Sequence, residues 1–84
     1  MISCNLHDYI EIVCLYRYPV SLVLKSGEIV TGTARDTAWN ADREECIKIE
    51  SEQRELLVIL DTISSMRVTT ENPHIDYVSF EPDI

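Results

Sequence analysis

The sequence is poor in residues that punctuate or cross-link a chain: two glycines, three prolines and three cysteines among 84 residues. With Gly27 and Gly32 alone there is no Gly-rich loop of the kind that gathers several backbone N–H groups around a phosphate. Cys4, Cys14 and Cys46 are odd in number and contain no CxxC pair, a spacing that suits neither a zinc site nor a disulfide framework. The thiols are expected to act as small core hydrophobes, and the protein to be cytoplasmic, where thiols stay reduced. No apolar run approaches the roughly 20 residues that span a bilayer. Asp8 and Glu11 interrupt the segment where the apolar stretch of a secretion signal would lie. A membrane role is not expected.

Positive charge is scarce as well. Seven Lys and Arg face fifteen Asp and Glu, for a net charge of −8. A protein that grips nucleic acid draws much of its affinity from cations displacing counterions, and Lys25, Arg35, Arg43, Lys48, Arg54 and Arg67 are scattered, mostly beside acids. No basic stripe with interleaved aromatics emerges, so direct nucleic-acid binding is not expected. Trp39, Tyr16 and Tyr18 could stack on bases, but packing or a protein interface suits them better when the phosphate contribution is missing. An acidic body attracts cationic partners. It also simply stays soluble and monomeric, and a monomer is expected for the free chain. The acids concentrate in Asp42, Glu44, Glu45, Glu50, Glu52, Glu55 and Asp61, and again from Glu71 onward, where no Lys or Arg follows.

Enzyme chemistry has little to stand on. His7 and His74 are far apart and neither sits in a metal-ligand spacing such as HExxH. A Cys–His pair could form only in space, and a domain this thin offers little room for a catalytic pocket. No catalytic residue, cofactor or metal ligand is assigned.

What is present reads as one domain over residues 1–84, mainly β with one N-terminal helix. Leu6, Ile10 and Val13, with Cys14 beside them, form an apolar stripe at helical spacing over about residues 5–16. Asn5 is the expected N-cap, and Pro19 forbids the helix from running on. Asp8 and Glu11 lie one turn apart and share a face. The same acids read equally as a solvated helix face near the dipole's positive end. From residue 20 the period changes to two. Val20, Leu22 and Leu24 alternate into Ser26-Gly27, and Ile29 to Thr31 follow, a hairpin whose Gly27 supplies the positive φ of its turn. Gly32 inside the second strand marks a bend where another backbone comes close. Cys46–Ser51 and Ile63–Val68 read as further strands. Leu56–Leu60 is apolar at every position, so it is expected to be buried on both faces or to bend between two packing surfaces. Ile75, Val78 and Phe80 supply late packing residues. Short bent strands with Gly at the bend close into a small barrel over about residues 20–80, which removes exposed sheet edges.

Two stretches carry a family resemblance: C-x-x-H-D-Y-I-E-I-V-C from Cys4 to Cys14, and V-x-L-x-L-K-S-G-E-x-V-x-G-x-A-x-D from Val20 to Asp36. Together with E-E-C-I-K-I-E and L-D-T-I-S-S-M they resemble the Rho-binding antiterminators, the Rof-like proteins of bacteria. The likeness runs over about Ile2 to Val68. It implies an Sm-like fold, a strongly bent antiparallel barrel with an N-terminal helix. It also implies a function: binding the N-terminal RNA-binding domain of the termination factor Rho, obstructing its primary RNA site and suppressing Rho-dependent termination. The family's contacts would fall here on Asp8 and Glu11, with His7 and Tyr9 beside them, and on Asn40, Asp42 and Arg43 before the third strand. That loop is more acidic here than the family's, and His7 stands where an acidic or aromatic residue is common. The competing function for an Sm-like chain is RNA binding by an assembled ring.

Overall fold

The change of hydrophobic period after Pro19 marks a change of structure. The computed structural model of the protein describes residues 4–80, with side chains from Leu6 onward. It comprises α1 (Cys4–Leu15), β1 (Pro19–Leu24), β2 (Ile29–Trp39), β3 (Glu45–Ser51), β4 (Arg54–Ile59), a 3-10 turn (Leu60–Thr62), β5 (Ile63–Val68) and β6 (Tyr77–Ser79). The helix is already formed at Cys4, so Asn5 lies within it and is not the expected N-cap, a residue that stands just before the first helical position. The burial of Cys4 lies outside the described side chains, and the terminal acids Glu81 and Asp83 lie outside the described residues.

Helix α1 buries the stripe its sequence provides. Ile10 and Val13 have no exposed surface, and Leu6, Ile12 and Cys14 pack partly against the same core. The helix ends before the proline by a Schellman arrangement. The Tyr18 N–H donates to the Val13 carbonyl at 3.0 Å and the Arg17 N–H to the Cys14 carbonyl at 3.2 Å, which satisfies orphan carbonyls of the last turn. The left-handed position that glycine usually fills is taken by Arg17, with φ 52°.

The six strands form one antiparallel sheet in the order β4-β3-β2-β1-β5-β6. β2 is the hinge of the architecture. Its first half pairs with β1, from Ile29 opposite Val23 to Thr33 opposite Pro19. Its second half pairs with β3, from Thr33 opposite Glu50 to Trp39 opposite Glu45. The register slips between Ala34 and Asp36, so Arg35 is the extra residue of a bulge that bends the strand. Gly32 sits beside that bend, where a Cβ would lie 2.5 Å from the Glu50 carbonyl oxygen and 2.6 Å from Ile49 Cγ2. The close approach expected of Gly32 is therefore real. Gly27, with φ 94°, turns the β1–β2 hairpin as expected.

The curl of the sheet follows from its shortest connection. β4 and β5 stand four places apart in the order, roughly 19 Å across a flat sheet, yet a three-residue 3-10 turn that rises only about 6 Å joins them. The sheet must roll up for this link to be made. It does not close: among the described residues β4 and β6 are edges that pair with no further strand. The expected barrel is thus an open, curled sheet. Leu56–Leu60 departs from expectation for the same reason. As part of an edge strand, Leu57 is half exposed while Val58 is buried, and Leu60 leaves the strand to enter the 3-10 turn.

The C-terminal segment is structural. Asn72 donates from Nδ2 to the carbonyls of Thr70 and Ile75 and accepts at Oδ1 from the N–H groups of His74 and Ile75. That knot turns the chain so that β6 pairs with β5, Val78 opposite Met66. Ile75, Val78 and Phe80 join the core.

Candidate partner-binding surface

Burying Ile10 and Val13 forces the opposite side of α1 outward. Asp8, Glu11 and Leu15, spaced by three and four residues, share that side, and all three are exposed. Leu15 keeps 73% of its surface, and Tyr9 and Tyr16 on the flank keep 36% and 50%. The exposed side of the helix is therefore two carboxylates set among apolar and aromatic groups. Few purely solvated helices carry so much apolar surface outward, since isolated exposed apolar residues are common but grouped ones mark contact surfaces.

The β2–β3 loop is built around one side chain. Asn40 Oδ1 accepts from the N–H groups of Asp42 and Glu44, each at 2.9 Å, and its Nδ2 donates to Glu44 Oε1 at 3.2 Å. Its backbone closes the turn, accepting from the Arg43 N–H and donating to the Glu44 carbonyl, both at 3.0 Å. Arg43 takes the left-handed conformation, φ 62°. Asn40 thus holds the loop's shape, while Asp42 and Arg43 project from it, both exposed.

Helix and loop meet through His7. Its Nε2 contacts Glu45 Oε1, both side chains about one-third exposed, across 38 residues of sequence. His7, Trp39, Arg43, Glu44, Glu45, Leu60 and Asp61 line one cleft of about 420 Å³. The expected helix and loop contacts converge there in His7 and Arg43. Glu11 lines a separate depression with Cys14, Leu15, Arg17, Arg35, Asp36 and Thr37.

These geometries meet known proteins at a single point. Residues 1–80 match the family described as Modulator of Rho-dependent transcription termination (ROF). The chain belongs to that family. A solved structure of YaeO from Vibrio cholerae O395, bound to magnesium, is similar along nearly its whole length: TM-score 0.85 and 42% identity over 88% of this chain and 96% of that one. None of the curated proteins compared with the sequence matches it. The match of this Rho-modulator family extends through β6, beyond the Ile2–Val68 stretch that carried the sequence resemblance. Among the described residues of this ROF chain, no three His, Cys, Asp or Glu side chains gather closely enough to hold a metal ion. No helix is long and apolar enough to cross a membrane.

Of the two readings of Trp39, packing and a protein interface, its exposure excludes burial in the core: 67% of it is exposed at the cleft, a placement that the sequence alone did not give. The signal available was the strand register, which sets Trp39 directly opposite Glu45, but a register cannot be read before the bulge at Arg35 is known. Of the two thiols whose side chains are described, Cys46 is a core residue as expected and Cys14 is partly buried against the core. Cys46 is buried, and burial first, then the neighbouring Glu44, pushes its pKa up. Burial and then Asp36 raise Cys14 to about 11, which leaves it protonated and poorly nucleophilic near neutrality.

Proposed function

We propose that this protein inhibits Rho by docking its acidic helix onto the N-terminal RNA-binding domain of Rho, covering the primary site and suppressing Rho-dependent termination. Membership of the Rho-modulator family names the process. The observation that carries the mechanism is the outward side of α1, where Asp8 and Glu11 stand on a rigid helix among exposed Leu15 and Tyr9. A groove that holds RNA is lined with cations and stacking platforms. Carboxylates at fixed spacing pair with those cations through charge-assisted hydrogen bonds, and opposite charge speeds the encounter in a salt-dependent way. His7 and Tyr9 flank the acids, and Asp42 and Arg43 on the loop shaped by Asn40 add a second contact. Occupancy excludes RNA by competition, so no catalysis and no cofactor are required. The protein is cytoplasmic, and a monomer when free of its partner.

The deciding experiment mixes the protein with purified Rho and with single-stranded RNA, separately and together, at low and moderate salt. Binding to Rho that RNA competes away supports the reading. Tight binding of this chain to RNA alone, with none to Rho, overturns it in favour of an RNA-binding Sm-like protein.

A further inference from the structure

The cleft between α1 and the β2–β3 loop holds three side chains, Trp39, Glu44 and Glu45, that the docking described above does not use. Trp39 is the one tryptophan of the chain, and two-thirds of it lies in solvent. Directly across the strand pair stands Glu45, and residues opposite one another in an antiparallel pair project from the same side of the sheet. The indole and this carboxylate therefore line the cleft together, over a floor supplied by buried Leu60.

The carboxylates are already positioned. Glu45 is held through Oε1 by His7, and Glu44 through Oε1 by Asn40 Nδ2 at 3.2 Å. Each is thereby restrained before any ligand arrives, which lowers the ordering cost of binding. Asp61 adds a third acid to the lining, against the one cation Arg43. The acids do not converge on a point where a metal ion would sit. An aromatic face beside spaced carboxylates suits a broader, planar cation. Guanidinium is planar, stacks on aromatic rings and pairs with carboxylates through a rigid fork of donors, whereas a lysine ammonium is a compact point charge.

We propose that this cleft receives an arginine side chain of the protein on which α1 docks, the guanidinium stacking on Trp39 and pairing with Glu44 and Glu45. The proposal rests on the docking mode above and adds the chemistry that fixes its orientation: α1 supplies an acidic surface, and the cleft supplies one socket for one cation.

Because the chain has a single tryptophan, its fluorescence reports on the socket directly. A short glycine-flanked arginine peptide is titrated into the protein, beside peptides of equal length carrying lysine or citrulline. Citrulline keeps the shape of arginine and removes its charge. The arginine peptide is expected to change Trp39 emission to saturation, lysine to bind several-fold more weakly, and citrulline to leave the emission unchanged. By calorimetry, Trp39→Ala should weaken the arginine peptide about tenfold, Trp39→Phe should retain most of the affinity, and Glu44→Gln should lose several-fold. An unchanged emission, equal response to citrulline, or indifference to Trp39→Ala and Glu44→Gln overturns the socket. Binding of the same variants to Rho separates the two readings. Wild-type protein that binds Rho as well as Trp39→Ala does leaves the docking mode standing and removes the socket. Wild-type protein that takes the arginine peptide but ignores Rho keeps the socket and removes the docking partner.

Discussion

Two histidines contact the chain at the two ends of the same helix, and they do so by different physics. At the N-terminal end, His7 reaches Glu45 in a cleft walled by charge. At the C-terminal end, the His74 ring, carried by the β5–β6 connection, stacks on Tyr16 with centroids 4.7 Å apart and planes 16° from parallel. Tyr16 in turn stacks on Tyr18 at 5.4 Å. The aromatic end is held by ring stacking, a contact that uses no carboxylate. The polar end is held by a contact whose members remain one-third exposed and whose neighbours are carboxylates. A helix anchored by packing at one end can present an acidic surface at the other without needing that surface for its own stability.

The sharpest way to break this contrast is to reverse charge at one end and remove stacking at the other. Asp8→Arg combined with Glu11→Lys should reduce affinity for Rho by about thirtyfold or more, read by a binding titration, while the urea midpoint hardly moves. His74→Ala should do the opposite: Rho binding is kept, and stability falls by about 1 kcal/mol, the worth of an aromatic contact, read by urea unfolding. If the double reversal unfolds the protein, or His74→Ala abolishes Rho binding, the division of labour is wrong. Arg17→Gly probes the same helix end more finely. Arg17 sits in the left-handed region, where a side chain is strained and glycine is not, so glycine there should stabilise by up to about 1 kcal/mol in the same measurement. The smallest effect is a pH dependence. The Cys14 thiol is held at about 11 in the fold, above its ordinary value near 9. Below pH 9 the thiol is protonated in both states. Between 9 and 11 the unfolded chain loses its proton first, so stability should fall as pH rises through that window. Cys14→Ala should show a shallower fall.

The parts of the fold that were legible are those where residue type and geometry are tied closely. Gly27 and Gly32 announced a positive φ and a close approach, and both occur. Ile10 and Val13 announced a buried helix stripe. The illegible parts are those where the chain uses residues against their habit. Glu52 and Gln53 make a two-residue hairpin turn with φ of 49° and 69°, a geometry usually signalled by Asn-Gly. Arg17 and Arg43 take left-handed conformations without glycine. Nothing local marks Arg35 as a bulge, and without the bulge the register that places Trp39 beside Glu45 cannot be found. The acidic helix face was visible because helical spacing is a local property. The cleft was not, because His7 and Glu45 meet only through the tertiary fold.

The unclosed sheet has a colloidal consequence. Among the described residues β4 ends the sheet with one side that pairs with no further strand, and it carries a half-exposed Leu57. Such a border invites strands from other molecules, and mutual repulsion between bodies of charge −8 keeps them apart. Acidifying toward the carboxylate range, or swamping the repulsion with salt, should turn a clear solution cloudy well before the fold itself melts.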